Sequence, residues 1–350
     1  MLEEGQEAPM STRSEIRCGL AAALLALMGL VLSPCASAST EPSPTPSPPR
    51  PYISVPGHPY GVAISPDGGH AYVTTTGWPE ALVVTDTHTK QQSARIWTGG
   101  VDVGISPDGR RAYTTVQAAW SANDWQLRPG SVKVFDTATN TEIDYIKVGV
   151  NPVGLAVAPD GRRVYVANSG SDSLSVVDTA SGKVVDEVKV GSDPVHVVAS
   201  PDGRHVYVAN SGYGTPASLS VIDTATDKVV GWPGRLGDFT YGLAVTPDGR
   251  RLYVTDLLGT VSVVDTATGK VTGGPIPVGW HPKDVVVSAD GRRAYVANEG
   301  ADSLSVIDTS TNKVTETISA HHPTRIALTR DGRHAWITEY WGGRVWVVDL

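Results

Sequence analysis

The chain has 350 residues, 40% of them hydrophobic and 18% charged, with 37 Gly and 25 Pro and a formal net charge of −8. That balance suits a turn-rich globular all-β chain, and with no basic face or stripe it excludes an electrostatic nucleic-acid binder. The two cysteines, Cys18 and Cys35, both precede the globular part, so no disulfide framework supports the fold.

Taken in chain order, Arg13 and Arg17 are followed by an uncharged run from Cys18 to Leu32 and then by Ser33-Pro34-Cys35-Ala36-Ser37-Ala38. A basic start, an apolar stretch too short for an ordinary membrane span and an Ala-x-Ala end describe a secretory signal peptide, residues 1–38, cleaved after Ala38. Glu3, Glu4 and Glu7 lie upstream of the basic region, and Met10 is an alternative start to Met1. An uncleaved signal anchor and a lipoprotein attached through Cys35 are the alternatives. Pro34 departs from a lipobox and disfavours the second. These would be the routes to a membrane; otherwise the protein is expected to be secreted or in the cell envelope. Residues 39–51, STEPSPTPSPPRP, form a Pro/Ser/Thr linker with no capacity for a core.

From residue 52 onward the chain repeats. Asp-Gly pairs begin at Asp67, Asp108, Asp160, Asp202, Asp248, Asp290 and Asp331, spaced by 41, 52, 42, 46, 42 and 41. Five residues after each Asp stands an aromatic: Tyr72, Tyr113, Tyr165, Tyr207, Tyr253, Tyr295 and Trp336. Each unit also holds an apolar strand ending in Asp: Asp86, Asp136, Asp178, Asp223, Asp265, Asp308 and Asp349, followed by Thr in six cases. Residues 151–190 give the unit in physical terms. An apolar strand leads to a Pro-Asp-Gly turn, an alternating strand RVYVAN, a polar loop, a third strand SLSVVD, a turn and a fourth strand. Four antiparallel strands per period of about forty residues make a propeller blade. The expected fold is therefore an all-β, seven-bladed β-propeller over 52–350. The seventh unit stops after its third strand, so an N-terminal outer strand at 52–55 is expected to complete the last blade and close the ring.

These units resemble YVTN-type β-propeller repeats, whose pattern runs Pro-x-Gly-Val-Ala-Val-Ser-Pro-Asp-Gly, Val-Tyr-Val-Ala-Asn and Ser-Val-Ile-Asp-Thr. Residues 151–179 and 282–309 carry it most closely. The resemblance implies an extracytoplasmic protein. Related propellers include sugar-lactone hydrolases and cofactor-containing dehydrogenases, so fold alone leaves function open.

Residues that recur in all seven units are explained by turn chemistry; informative ones break the repeat. Six residues before each turn Asp, at the expected mouth of the central channel, the units read Gly61, Asp102, Gly154, His196, Gly242, Asp284 and Arg325. His196, Asp102, Asp284 and Arg325, with neighbouring Lys283, are the catalytic candidates. His58, His281, His322 and Asp193, three residues further upstream, are the metal candidates, with His321 alongside. Trp78, Trp120, Trp125, Tyr213, Tyr241, Trp280 and Trp341 fall in loops expected on one variable face, where they offer a ligand-binding surface. The insertion 117–130, with Trp120 and Trp125, is long enough for a lid.

Two functions follow, beside a purely structural role as a surface repeat protein. The first is a monomeric binding module that takes a glycan, a peptide or a small molecule on its variable face. The alternative is a lactone-hydrolase-like enzyme with a cross-blade His/carboxylate site, with or without a divalent metal. The sequence has no nucleophile elbow, phosphate loop, zinc-type Cys pair or Cys-x-x-Cys-His haem attachment, and no cofactor is evident beyond the compatibility with a divalent metal.

Overall fold

A computed structural model describes residues 52–118, 128–212, 215–231 and 236–350. Contacts divide the chain at Pro48/Pro49, and the described residues all fall in the second unit. The signal peptide, the linker, Trp120, Trp125 and Tyr213 lie outside them.

Seven antiparallel sheets, of four strands in all but one, follow one another in chain order. Blade 3 is representative: Pro152–Val157, Arg163–Asn168, Ser173–Asp178 and Lys183–Lys189, hydrogen-bonded in that order. Blade 5 adds a short segment, Ile276–Pro277, that pairs with its third strand. In blade 7 the fourth place is taken by Tyr52–Ser54, which pairs antiparallel with Arg344–Asp349 in the register Tyr52↔Trp346, Ile53↔Val345. The fold is the seven-bladed propeller expected from the repeats, closed as expected by the N-terminal strand.

The repeated residues are structural. Asp160 Oδ1 accepts the Arg162 N–H across its turn, and Gly161 sits at φ +71° where only a residue without Cβ is at ease. Asp178 Oδ1 accepts both the backbone N–H and the hydroxyl of Ser181. The Thr after the strand-ending Asp ties the two turns together. Thr179 donates to the Gly161 carbonyl at 2.8 Å, and Thr87, Thr137, Thr224, Thr266 and Thr309 make the same bond in their blades. The seven aromatics at the fifth position after the turn Asp are all buried. They lie in seven clusters that each draw on two neighbouring blades, such as Tyr165, Leu174 and Val176 against Val197, Val206 and Ile222. The core is thus a ring of inter-blade seams, and apolar burial across them, about 25 cal/mol per Å², is what holds the ring together.

One irregularity positions the channel side chains. In six of the blades the innermost strand slips register just after its first residues: Pro59/Val62, Pro152/Leu155, Pro194/His196, Thr240/Leu243, Pro282/Asp284 and Pro323/Ile326. A bulge bends its strand and re-aims the side chains beside it. In those six blades the residue six before the turn Asp lies at this bulge; in blade 2 Asp102 stands just before the strand Val103–Ile105.

Candidate functional site

The sequence placed Asp102, His196, Asp284 and Arg325 at the channel mouth; in the structure Asp102, Asp284 and Arg325 are buried and His196 is half-buried. Asp102 is 9% exposed and Asp284 and Arg325 are each 4% exposed, and together with His196 they line a central cavity of about 450 Å³. Beyond them the lining is apolar, with Val157, Val198, Ala199, Val245 and Val287, and reaches Pro159 and Pro201 beside the Asp-Gly turns.

Three of the four have a structural task. Asp102 Oδ2 accepts the backbone N–H of Leu155 in the next blade, and Asp284 Oδ2 does the same for Ile326. His196 Nδ1 accepts the N–H of Leu243 in the same way. Each Asp turns its other oxygen to its own neighbour, Val103 or Val285. Blades 2, 4 and 6 therefore each present an acceptor, and blades 3, 5 and 7 receive it. The glycines between are packed tight. A Cβ at Gly154 would lie 2.8 Å from the Val195 carbonyl, and one at Gly242 2.8 Å from Asp284 Cα.

Arg325 is the exception. None of its three guanidinium nitrogens has a hydrogen-bond partner among the described residues. Nη1 stands 3.6 Å from Asp284 Oδ1, too far for a hydrogen bond, and the guanidinium lies 5.4 Å from the centre of the Tyr60 ring. A buried guanidinium whose N–H groups make no hydrogen bond is expensive even beside a carboxylate, so this side chain marks a place where an acceptor is wanted.

The electrostatics follow from burial and from that one cation. Desolvation raises the carboxyls of Asp102 and Asp284, Asp284 to about 6, with Arg325 pulling both back down. Desolvation, then Arg325, pushes the His196 imidazole well below its ordinary range, so it is neutral at pH 7. Because a backbone N–H can only donate, the Leu243 bond also fixes the His196 proton on Nε2.

Tyr60 and Tyr241 donate and accept across the channel, O···O 2.8 Å, from blades 1 and 5. Burial raises both phenols, and Lys283 lies 4.6 Å from the Tyr241 ring centre and 3.7 Å from Glu299. Tyr60, the hydroxyl partner that completes this pair, stands one before Gly61 as Tyr241 stands one before Gly242.

The metal candidates do not converge. His58 donates from Nδ1 to the Tyr340 carbonyl and stacks on that ring, His281 donates to Glu299, and Asp193 accepts the Ser211 hydroxyl. Of the four, His322 alone joins a group of potential ligands, with Asp302 and His321. The aromatic candidates divide. Trp78, Trp280 and Trp341 are exposed by 96%, 58% and 54%, whereas Tyr241 is taken into the channel pair. Trp341 also packs edge-on against Tyr340 and His58, so part of the aromatic set forms a loop core.

A family model for the Cytochrome D1 heme domain matches residues 125–232, less than a third of the chain. No curated protein matches. Among solved structures, the chain is similar to Kuenenia stuttgartiensis hydrazine synthase, with a TM-score of 0.74 at 20% identity over 89% of this chain and 99% of that one. At that identity the likeness shows a shared fold. The YVTN-type resemblance stays a reading of the motifs.

The family match raises haem as a cofactor, which the sequence motifs did not. The channel does not fit it. Haem iron takes an imidazole lone pair, a thiolate, a thioether or a phenolate. Every Cys and Met precedes residue 39. His196 has its lone pair on Leu243 and its proton on Nε2, and Tyr60 and Tyr241 are held protonated. Among the described residues, the channel offers no axial ligand.

Proposed function

We propose that this is an exported β-propeller of the YVTN-repeat type whose work is binding, and that its central channel takes the acid group of a small amphiphilic carboxylate. The observation that carries the reading is Arg325: a buried guanidinium none of whose nitrogens is hydrogen-bonded, with Asp284 at 3.6 Å as its nearest carboxylate, beside a cavity of about 450 Å³. A carboxylate matches the planar fork of an arginine. The apolar walls at Val157, Val198, Val245 and Val287 suit the remainder of such a ligand. Asp284, with its carboxyl near 6, would take up a proton as the anion enters, so binding would strengthen below that pH.

The lactone-hydrolase alternative finds less support. It needs a base and metal ligands that face the channel, and Asp102, Asp284 and His196 spend those atoms on the backbone of the next blade. A second binding reading, a glycan or peptide laid on the variable face, is favoured by the exposure of Trp78, Trp280 and Trp341. Export rests on the reading of residues 1–38. No helix among the described residues is long and apolar enough to cross a membrane.

Thermal unfolding of the full chain against monocarboxylates of increasing chain length tests the proposal. A ligand of the folded state raises the midpoint by mass action. The shift should grow with chain length, be larger at pH 5.5 than at 7.5, and shrink in Arg325→Lys. Absence of any shift, or one that Arg325→Lys leaves unchanged, rules out the channel site. A shift with oligosaccharides that disappears in Trp280→Ala would favour the variable face instead.

A further inference from the structure

Blade 7 departs from the repeat in a coordinated way. In blades 3, 4 and 6 the second strand ends in a buried Asn whose amide donates to two serines of the third strand: Asn168 to Ser173 and Ser175, Asn210 to Ser218 and Ser220, Asn298 to Ser303 and Ser305. The same three places in blade 7 hold Glu339, Arg344 and Trp346, as the shared registers Asn298↔Ser303 and Glu339↔Arg344 show. Glu339 is 1% exposed. Its Oε2 accepts the Trp346 indole N–H at 2.7 Å and lies 3.7 Å from Arg344. The three changes together install a buried carboxylate and fix its orientation.

The other oxygen of that carboxylate is aimed at a histidine. His321 Nδ1 donates to Glu339 Oε1 at 2.7 Å, which leaves the lone pair of the ring on Nε2. The His321 ring meets His322 edge to face, with centroids 4.5 Å apart. Asp302, in the left-handed conformation at the end of a short 3-10 turn of blade 6, accepts the His322 backbone N–H through Oδ1 at 2.8 Å. The repeat supplies that carboxylate: Asp172 accepts the Asp193 N–H between blades 3 and 4 in the same manner. What blade 7 adds is the pair of imidazoles. One potential ligand atom from each of Asp302, His321 and His322 lies within 4.8 Å of the others.

We propose that Asp302, His321 and His322 form a site for a divalent transition metal, with Glu339 as the residue that positions His321. Two imidazoles and one carboxylate are a donor set for Zn²⁺ and its borderline neighbours rather than for Ca²⁺ or Mg²⁺, and three protein ligands leave a fourth position open to solvent or to a ligand. A carboxylate behind a ligating histidine fixes its tautomer and raises its basicity, which is the arrangement of Glu339 and His321. His281 has the same backing from Glu299 but lies outside any such group of three among the described residues. The inference is independent of the channel reading, because none of its residues lines that cavity.

Calorimetric titration of the untagged full chain with Zn²⁺, and absorption of the Co²⁺ form, test it. The expected result is one equivalent of Zn²⁺ per chain and a visible Co²⁺ spectrum of low coordination number. His321→Ala and His322→Ala should each abolish both signals, and Asp302→Asn should weaken binding. Glu339→Gln should lower affinity by roughly 10–100-fold. His281→Ala should leave binding unchanged. Asp302 and His321 are exposed, so their variants remain informative if Glu339→Gln fails to fold. Failure to bind Zn²⁺ or Co²⁺ overturns the proposal, as does binding that survives the combined loss of His321 and His322.

Discussion

The carboxylate of Asp284 accepts the backbone N–H of Ile326 at 2.9 Å, while its other oxygen stands 3.6 Å from the guanidinium of Arg325, the residue just before. One side chain of blade 6 thus secures the backbone of blade 7 and faces the charge that blade 7 sends into the channel. The relationship belongs to a pattern. Acceptors on blades 2, 4 and 6 alternate with receiving blades 3, 5 and 7, and a ring of seven cannot close such an alternation. Blade 1, with Gly61 at this position, is left outside the alternation, and Arg325 stands beside it on blade 7. Blades 7 and 1 share a threonine bridge with other junctions: Thr338 accepts the Arg325 N–H and donates to the Tyr60 carbonyl, as Thr74 and Thr115 do between blades 1 and 2 and blades 2 and 3.

Removing the cation should expose the cost of the two acids. In Arg325→Leu, Asp102 and Asp284 remain buried with no compensating charge, a kind of change that costs about 3–5 kcal/mol. The carboxyls would answer by holding their protons. The deficit in melting temperature relative to the wild type should therefore be large at pH 8 and shrink toward pH 5. A deficit independent of pH would mean that Arg325 contributes by packing alone.

Asp284 gives the wild type a pH dependence of definite sign. Its carboxyl titrates near 6 in the folded chain against an ordinary 3.8. Between those values the native state holds a proton that the unfolded chain has released, so the contribution of Asp284 is fully present below about pH 4 and is lost as pH rises through 6. At about 1.4 kcal/mol per unit, the loss is on the order of 3 kcal/mol. Asp284→Asn removes the titration. Its unfolding free energy should lack this contribution across pH 4–7, even though the amide leaves one backbone N–H less well satisfied. Denaturant titrations of both proteins at several pH values check the difference in slope.

The glycine positions of the ring should be intolerant for a reason of contact rather than conformation. Gly154→Ala would place a methyl 2.8 Å from the Val195 carbonyl and 3.0 Å from His196 Cα, both backbone atoms that cannot swing away. Overpacking of this kind costs about 1–3 kcal/mol. Gly274→Ala, which meets nothing within 4 Å, should be near neutral and serves as the control.

The sequence read the fold well and the site less well, and the difference has a physical cause. The turn Asp, the following Gly, the Thr after the third strand and the buried aromatic act within one blade or on its seam, so their sevenfold recurrence was visible as spacing. Residues that break the recurrence were visible too, which is why Asp102, His196, Asp284 and Arg325 stood out. Their surroundings were not legible. Whether they sit at a mouth or inside a channel depends on the bulge in the inner strand, and whether they are free depends on an N–H that lies roughly 40–50 residues away in the chain. The same holds for Glu339, which looks like one more acid at a strand end until its register with Arg344 and Trp346 and its distance to His321 are known.

The closing strand offers the sharpest test of the architecture. Tyr52–Ser54 is only three residues long, yet it is the fourth strand of blade 7 and joins the first strand of the propeller to its last. Ile53 and Val55 pack into the seam between blades 7 and 1, with Val73, Val83, Trp336 and Val345. Val55 adds a backbone bond to the Gly343 carbonyl at 3.0 Å. Tyr52 covers Trp346 at 5.3 Å between centroids and lies under the Arg344 guanidinium at 4.9 Å. Deleting residues 52–55 would uncover the apolar seam and leave Arg344–Asp349 as an open edge that can pair with another chain. The truncated protein should melt several degrees lower, with an earlier transition for blade 7 than for the remainder, and should form larger species in sedimentation than the intact chain does at the same concentration. Adding back a peptide of residues 50–57 should reverse both effects in a concentration-dependent way, since it would supply the missing strand by edge pairing. A truncated chain that sediments and melts as the intact one does would show that the ring is held by its seams alone.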